Sequence, residues 1–422
     1  MTRIFYGWWM VAAGSGIQFM QSFFLMQAFG AYVPVLQEER GWSKTELSGA
    51  AALQQVEAAI IGPVVGWFLD RFGPRGVLRT GILLFGGGFM LLSQVETLGA
   101  FYGAFVVIAF GVSMSGFFPL NVALIQWFER NRARALSSLQ LGLALGGTAV
   151  PIVAWSLTTF GWRVTAFASG AAVIVFGLPL VQVIRRRPED YGLRVDGDTA
   201  PARARDATGA PQPAASDGTR DFTWREALRE RSFWLLSLGH GSALFVVTAV
   251  NVHAISHMKE SLGYSVEAAA FVITLMTLAQ VGGVAIGWAI GDRYDKRLIT
   301  VACMAAHMTG LLLLTYASGP SAVVTTMLVG FAVLHGAAWG LRGPLMQAIR
   351  ADYFGRSAIG MILGISYVII VIGQVGGPLI AGILADATGS YRVGFTTLAV
   401  LSGLGSAFFL LASKPKRPLA SA

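Results

Sequence analysis

Arg342 stands inside an otherwise uncharged stretch, Trp339-Gly340-Leu341-Arg342-Gly343-Pro344, ten residues before Asp352. On a helix that is about 15 Å from the charged end. A guanidinium so deep in an apolar segment is costly unless it faces a cavity or a partner, and its planar fork suits bidentate capture of a carboxylate. The alternatives are a structural ion pair or a side chain that snorkels to the nearer surface. Glu57 lies in the middle of another such run, 13 residues before Asp70. A buried carboxyl favours its protonated form, so Glu57 is a candidate proton carrier, or else a fixed partner for Arg342 or a neighbouring polar group. Gln18 and Gln21 suggest one polar face on the first helix, and Asn121, His240, Asn251, Gln280, His335 and Tyr367 are further polar groups inside apolar runs. His253 and His257 have the four-residue spacing of a metal pair, but Ala254-Ile255-Ser256 between them lacks a catalytic Glu, and satisfied interfacial histidines explain them better.

A second chemistry recurs along the chain. Gly66-Trp67-Phe68-Leu69-Asp70-Arg71-Phe72-Gly73-Pro74-Arg75 returns as Gly287-Trp288-Ala289-Ile290-Gly291-Asp292-Arg293-Tyr294-Asp295-Lys296-Arg297, with one extra residue before the Asp. Gly41 precedes Asp70 by 29 residues, and Gly263 precedes Asp292 by the same 29. Trp127-Phe128 and Tyr353-Phe354, each followed by an Arg-containing turn, form another matched pair, as do Gly161-Trp162-Arg163 and Gly389-Ser390-Tyr391-Arg392. A carboxylate at a helix end is favoured beside the positive N-terminus of a neighbouring helix. The segments starting near Arg132 and Arg356 offer such N-termini to Asp70 and Asp292.

The elements that hold these residues are set by composition. Of 422 residues, 55% are hydrophobic and only 13% charged, against about a quarter charged in soluble domains. Uncharged runs of roughly 20 residues, enough to span a bilayer, recur throughout, and Ile4 to Gln37 carries no charge at all. Long apolar runs with internal Gly and Pro predict helices rather than alternating barrel strands. Twelve spans are expected, near 5–37, 46–69, 77–95, 99–127, 133–160, 164–184, 232–257, 266–290, 298–317, 321–349, 357–386 and 393–413. All but six of the 31 Lys and Arg then fall at the amino end, in the loops after even-numbered spans or just inside the following span (Arg79 and Arg134), or in the tail. The exceptions are Arg40, Lys44, Arg163, Lys259 and Arg392 on the other side, and Arg342 within a span. This asymmetry places both termini in the cytoplasm and explains the net charge of +9 without nucleic acid. Met1-Thr2-Arg3 leads into a run too long for a signal h-region, so it is expected to remain as the first span. Cys303 is the single cysteine, which leaves no disulfide framework. No metal or cofactor is expected.

Residues 188–221, rich in Ala, Pro, Asp, Gly and Arg, predict a mostly disordered cytoplasmic linker. Thr223-Trp224-Arg225-Glu226 has the form of a capping box and predicts a short amphipathic helix on the membrane surface. The chain thus divides into a bundle over 1–187, a linker over 188–231 and a second bundle over 232–422. An even number of spans in each bundle gives a parallel repeat about an axis along the membrane normal.

The paired Gly-x-x-x-Asp-Arg loops, Asp70-Arg71-Phe72-Gly73-Pro74-Arg75 above all, together with twelve spans, resemble the major facilitator superfamily. Tyr6-Gly7-Trp8, Arg40-Gly41-Trp42-Ser43 and Phe233-Trp234 resemble its monocarboxylate and oxalate/formate branch. The resemblance implies an all-α membrane protein of two pseudo-symmetric six-helix bundles, with spans 1, 4, 7 and 10 lining a central cavity. It implies substrate contacts at Arg342, Gln18, Gln21, Asn121, His240, Asn251, His335 and Tyr367. It also implies latching of the two bundles in an outward-open state by Asp70, Arg71, Arg75, Asp292, Arg293 and Arg297. One departure concerns cargo: the carboxylate branch carries an Arg in span 8, where this chain is apolar around Val284, and span 11 lacks a Lys. Arg342 would then have to take over that role.

The glycines at 283, 287 and 291, and at 142 and 146, predict close helix approach. A glycine-proline pattern similar to that of drug antiporters falls in span 11 rather than span 5, which argues against drug export. No phosphate-cradling Gly-Lys-Ser/Thr loop appears, so ATP drive is not expected. The expected function is secondary active transport of a small organic anion such as a monocarboxylate, proton-coupled or by exchange, in a plasma (inner) membrane, by a monomer. A drug or sugar permease and a non-transporting receptor are the rival readings. No nucleophile–base or metal-ligand constellation lies at a span end, so an enzyme is not expected.

Overall fold

The computed structural model describes residues 4–26, 28–198 and 219–419, and the middle of the linker lies outside them. The described residues form helices α1 (Tyr6–Gln21), α2 (Phe29–Arg40), α3 (Lys44–Phe72), α4 (Pro74–Leu92), α5 (Leu98–Ser115), α6 (Phe117–Trp127), α7 (Arg132–Thr148), α8 (Val150–Val183), α9 (Trp224–Ala227), α10 (Arg231–Leu262), α11 (Val266–Ile290), α12 (Lys296–Thr315), α13 (Ser321–Phe354), α14 (Ile359–Thr388) and α15 (Tyr391–Leu411). Nine stretches among the described residues are long and apolar enough to cross a membrane. The longest, Arg132–Val183, is broken at Gly161, whose φ of 78° and ψ of 164° end one helix and start the next. The run predicted over 5–37 is also divided, by a π-helical turn at Ser22–Met26 between α1 and α2.

Helix starts follow local chemistry. Ser43 and Glu46 form a reciprocal capping box at α3, and Ser265 Oγ accepts from Ala268 N at α11. Each of these matched helices thus starts on a Ser that accepts from the backbone N–H three residues on, and α3 alone adds the returning Glu. The Thr223 box also forms, but α9 is a single turn. Phe222 and Ala227 are buried there, with the Phe222 ring edge-on to Phe354. The predicted amphipathic surface helix is therefore a short anchor on the end of α13. It is held there because its apolar residues find a protein partner.

Buried apolar side chains gather into one large cluster drawn almost entirely from residues 10–184, and two clusters drawn from residues 222–412. The chain thus folds as two helical bundles. They meet along α3 against α14 and α7 against α11. A Cβ at Gly364 would lie 2.6 Å from the Gly62 carbonyl oxygen, and one at Gly360 would lie 2.6 Å from that of Gly66. Glycine at these positions lets the backbones of α3 and α14 touch.

Candidate functional site

On the face that carries the basic loops, two carboxylates cross between bundles. Asp70, at the end of α3, accepts from Gly360 N (2.9 Å) and Met361 N (2.8 Å) in the first turn of α14. Asp292, just past α11, accepts from Ala133 N (2.8 Å) and Arg134 N (2.9 Å) in the first turn of α7. Neither α7 nor α14 is capped by its own preceding side chain, so an Asp from the opposite bundle satisfies the orphan N–H groups. Burial raises the carboxyl of Asp292 above the ordinary range, opposed by the two backbone N–H groups and by Lys296.

Further pairs reinforce this face. Arg132 pairs with Asp352, Lys296 lies 3.0 Å from Asp352 and 3.8 Å from Asp292, and Arg134 stacks over Trp288. Gln126 and Arg356 exchange hydrogen bonds through side chain and carbonyl, at 2.7 and 2.6 Å.

Unlike Lys296, the arginines of the paired motifs do not take part in this crossing. Arg71 is exposed and rests over Trp67 and Phe72. Arg75 donates to the Ile184 and Gln182 carbonyls within its own bundle. Arg293 is exposed, and Arg297 turns to Asp295 and the Leu410 carbonyl. Arg75 and Arg297 thus direct their donors to carbonyls of their own bundle, and Arg71 lies on rings of its own helix. The linker ends are also more ordered than composition predicts. Asp196 accepts from the backbone N–H groups of Glu129, Arg130 and Asn131, and Asp221 from those of Arg356 and Ser357. Each linker Asp thus ties the loop leading into α7 or α14.

Between the bundles lies a cavity of about 360 Å³. The first bundle contributes Gln18, Gln21, Gln54, Ser113, Asn121 and Gln140; the second contributes His240, Arg342, Gln347, Arg350, Tyr367 and Gln374. Arg342 is 1% exposed, and neither its Nε nor its Nη1 has a hydrogen-bond acceptor. Both side-chain polar atoms of Gln18 are likewise unpartnered, as is Asn121 Oδ1. Gln21 is held by Ser115 Oγ at 3.0 Å. Glu57 sits half-buried behind Ser113, whose Oγ donates to it at 2.9 Å, while its second oxygen has no partner. It forms no ion pair with Arg342.

Two predicted residues lie elsewhere. His335 faces His307 on α12, Nδ1 to Nδ1 at 3.1 Å, packed beside Phe331 and outside the cavity walls. The side of α13 that carries it turns into its own bundle. Asn251 is exposed on α10, beyond the cavity walls. Arg350 was hidden by its position: a span ending at 349 assigns it to a basic loop, whereas α13 runs on to Phe354 and buries it. Its spacing of eight residues from Arg342 was the available signal, because it places both on the inner side of one helix.

Comparison with known proteins places these observations. A family model described as Major Facilitator Superfamily matches residues 15–321 and again 236–422. Monocarboxylate transporter 13 of Bos taurus is 26% identical over 411 residues, covering 95% of this chain and 88% of that protein. The solved structure of the proton:xylose symporter XylE superposes with a TM-score of 0.75 at 14% identity, covering 97% of this chain and 96% of that one. The human organic anion transporter MFSD10 gives 0.69 at 15% identity, covering 95% and 98%. At such identities the two structures speak to the fold alone.

Proposed function

The chain belongs to the major facilitator superfamily, and from that premise we propose that it is a secondary active transporter of small organic anions. It is a multi-pass membrane protein resembling the monocarboxylate branch. Twelve crossings, with both termini in the cytoplasm of a plasma (inner) membrane, put the Asp70 and Asp292 clamps on the cytoplasmic side. The clamped state is then the one closed toward the cytoplasm. Releasing the clamps and closing the opposite end would complete an alternating-access cycle in a monomer.

The observation that carries the anion reading is Arg342, a buried guanidinium on the cavity wall without an acceptor for Nε or Nη1. A buried unpaired charge is strongly unfavourable, and a carboxylate would relieve it through two parallel hydrogen bonds. A monocarboxylate is the minimal cargo of this kind. A sugar or a neutral drug would leave the charge uncompensated. Gln18 and Asn121, with unpartnered acceptors and donors, supply the directional contacts that select the rest of the molecule.

Glu57 adds the coupling. Its free oxygen and its place behind Ser113 suit a carboxyl that takes up and releases a proton as access alternates. Uptake of labelled organic acids into proteoliposomes tests both roles. Arg342→Ala is expected to abolish uptake while leaving thermal unfolding of the purified protein intact; unchanged substrate affinity would refute the anion site. Glu57→Gln should remove the response to a pH gradient yet spare exchange, and a retained response would exclude it as the carrier.

A further inference from the structure

The cavity holds a second buried cation that a single carboxylate leaves unmet. Arg350 lines the same cavity two turns along α13 from Arg342, about 12 Å along the helix axis. It is 1% exposed. Its guanidinium is held only by neutral acceptors: Nη1 donates to the Met346 carbonyl at 2.8 Å, and Nη2 lies 3.2 Å from the Leu236 carbonyl and 3.4 Å from His240 Nδ1. Its Nε has no acceptor. Among the described residues, no carboxylate pairs with either arginine. Both charges are therefore buried, repel each other, and keep N–H donors in reserve.

Side chains on a helix lean toward its N-terminus, so the Arg350 fork, anchored at the Met346 carbonyl one turn back, points along the wall toward Arg342, which leans the same way. Gly343 lies between them on the cavity wall. The Gln140 amide of the first bundle reaches within 2.8 Å of where its Cβ would stand, so glycine there makes room for a neutral side chain beside the two forks.

We propose that the cargo is a small dianion, with one acid group on Arg342, the second on Arg350, and a short carbon chain between them. This rests on the anion reading above and narrows it: a one-headed acid would satisfy Arg342 and leave Arg350 uncompensated. Two charge-assisted contacts on a preformed pair of forks favour a two-headed ligand over its one-headed analogue.

The test compares matched ligands on the purified full-length protein. Malonate, succinate, glutarate and adipate are each titrated beside their monoamides, which keep length and shape but lose one charge. At least one diacid is expected to bind roughly tenfold or more tighter than its monoamide. In Arg350→Gln that preference should fall to about onefold, and Arg350→Lys, which restores charge without the fork, should recover part of it. A purely structural role for Arg350 would lower stability without moving the ratio of diacid to monoamide. Equal binding of every diacid and its monoamide to the unsubstituted protein overturns the dianion, while leaving the anion site on Arg342 standing. A preference that survives Arg350→Gln also overturns it. Failure of every acid, one-headed or two-headed, to bind would overturn the anion reading and this proposal together.

Discussion

At the basic face, Asp70 and Asp292 each cross to the second and third residues of a helix in the opposite bundle, with four bonds of 2.8 to 2.9 Å. In the cavity, by contrast, α13 places two buried arginines where the first bundle has none. The matched pairs Trp127-Phe128 and Tyr353-Phe354 set Gly116 opposite Arg342 and Leu124 opposite Arg350. The internal repeat has therefore kept the carboxylates that join the bundles in duplicate, while the cavity walls have diverged. In the proposed alternating-access cycle, symmetric clamps would allow both bundles to rock by the same motion, whereas a charge on one wall would fix the cargo in a single orientation.

Breaking both clamps at once gives the largest expected effect on the symmetric part. Removing an N-cap carboxylate costs about 0.5–2 kcal/mol, so Asp70→Ala and Asp292→Ala should each loosen the clamped face by a similar amount and add in the double variant. Labelling of a cysteine placed at Ser137, which is buried beside Gly287, reads this directly. A result in which one Asp accounts for the whole change would break the equivalence.

The next effect sharpens it, because the matched glycines Gly66 and Gly287 meet unequal neighbours. A side chain at Gly66 would strike the Gly360 backbone, whereas one at Gly287 meets the Ser137 hydroxyl at 3.1 Å and Leu341 Cδ1 at 3.3 Å. Gly66→Val should lower thermal stability by about 1–3 kcal/mol and Gly287→Val by less, since side chains yield and backbone does not. Equal losses would show that both interfaces adapt alike.

A smaller effect comes from pH. Burial raises the carboxyl of Asp292 in the clamped state. The clamped state therefore binds a proton more readily than an open state in which Asp292 is solvated, and by linkage it gains as pH falls through that raised value. Labelling at Ser137→Cys should slow on mild acidification, and Asp292→Asn should flatten the profile. Faster labelling in acid would reverse the sign and contradict the role of burial. The smallest effect is expected at Asn251, exposed and outside the cavity walls: Asn251→Ala should alter acid binding by no more than about 0.5 kcal/mol.

The parts legible in the sequence were those with a local or periodic signal. The 29-residue spacing of the two Asp loops located both clamp carboxylates, and helix-end electrostatics named the N-termini they reach. Arg342 stood out because a charge in an apolar run is rare. Arg350 did not, since side counting alone cannot tell a helix that continues inward from a loop that begins. His335 and Asn251 show the same limit from the other side, because a polar residue in a span reveals nothing of the face it occupies. The clamping of the loops before α7 and α14 by Asp196 and Asp221 was hidden too. Their flanks look like solvated linker, and only the tertiary arrangement brings free backbone N–H groups within their reach.

The central claim is that α13 carries the anion site, and equilibrium binding of organic acids to Arg342→Gln tests it most directly. Titrating pyruvate and succinate into the unsubstituted protein and this variant, with thermal unfolding as the control for folding, should show a loss of about 2–5 kcal/mol in affinity. An unchanged affinity in a folded Arg342→Gln protein would contradict the account.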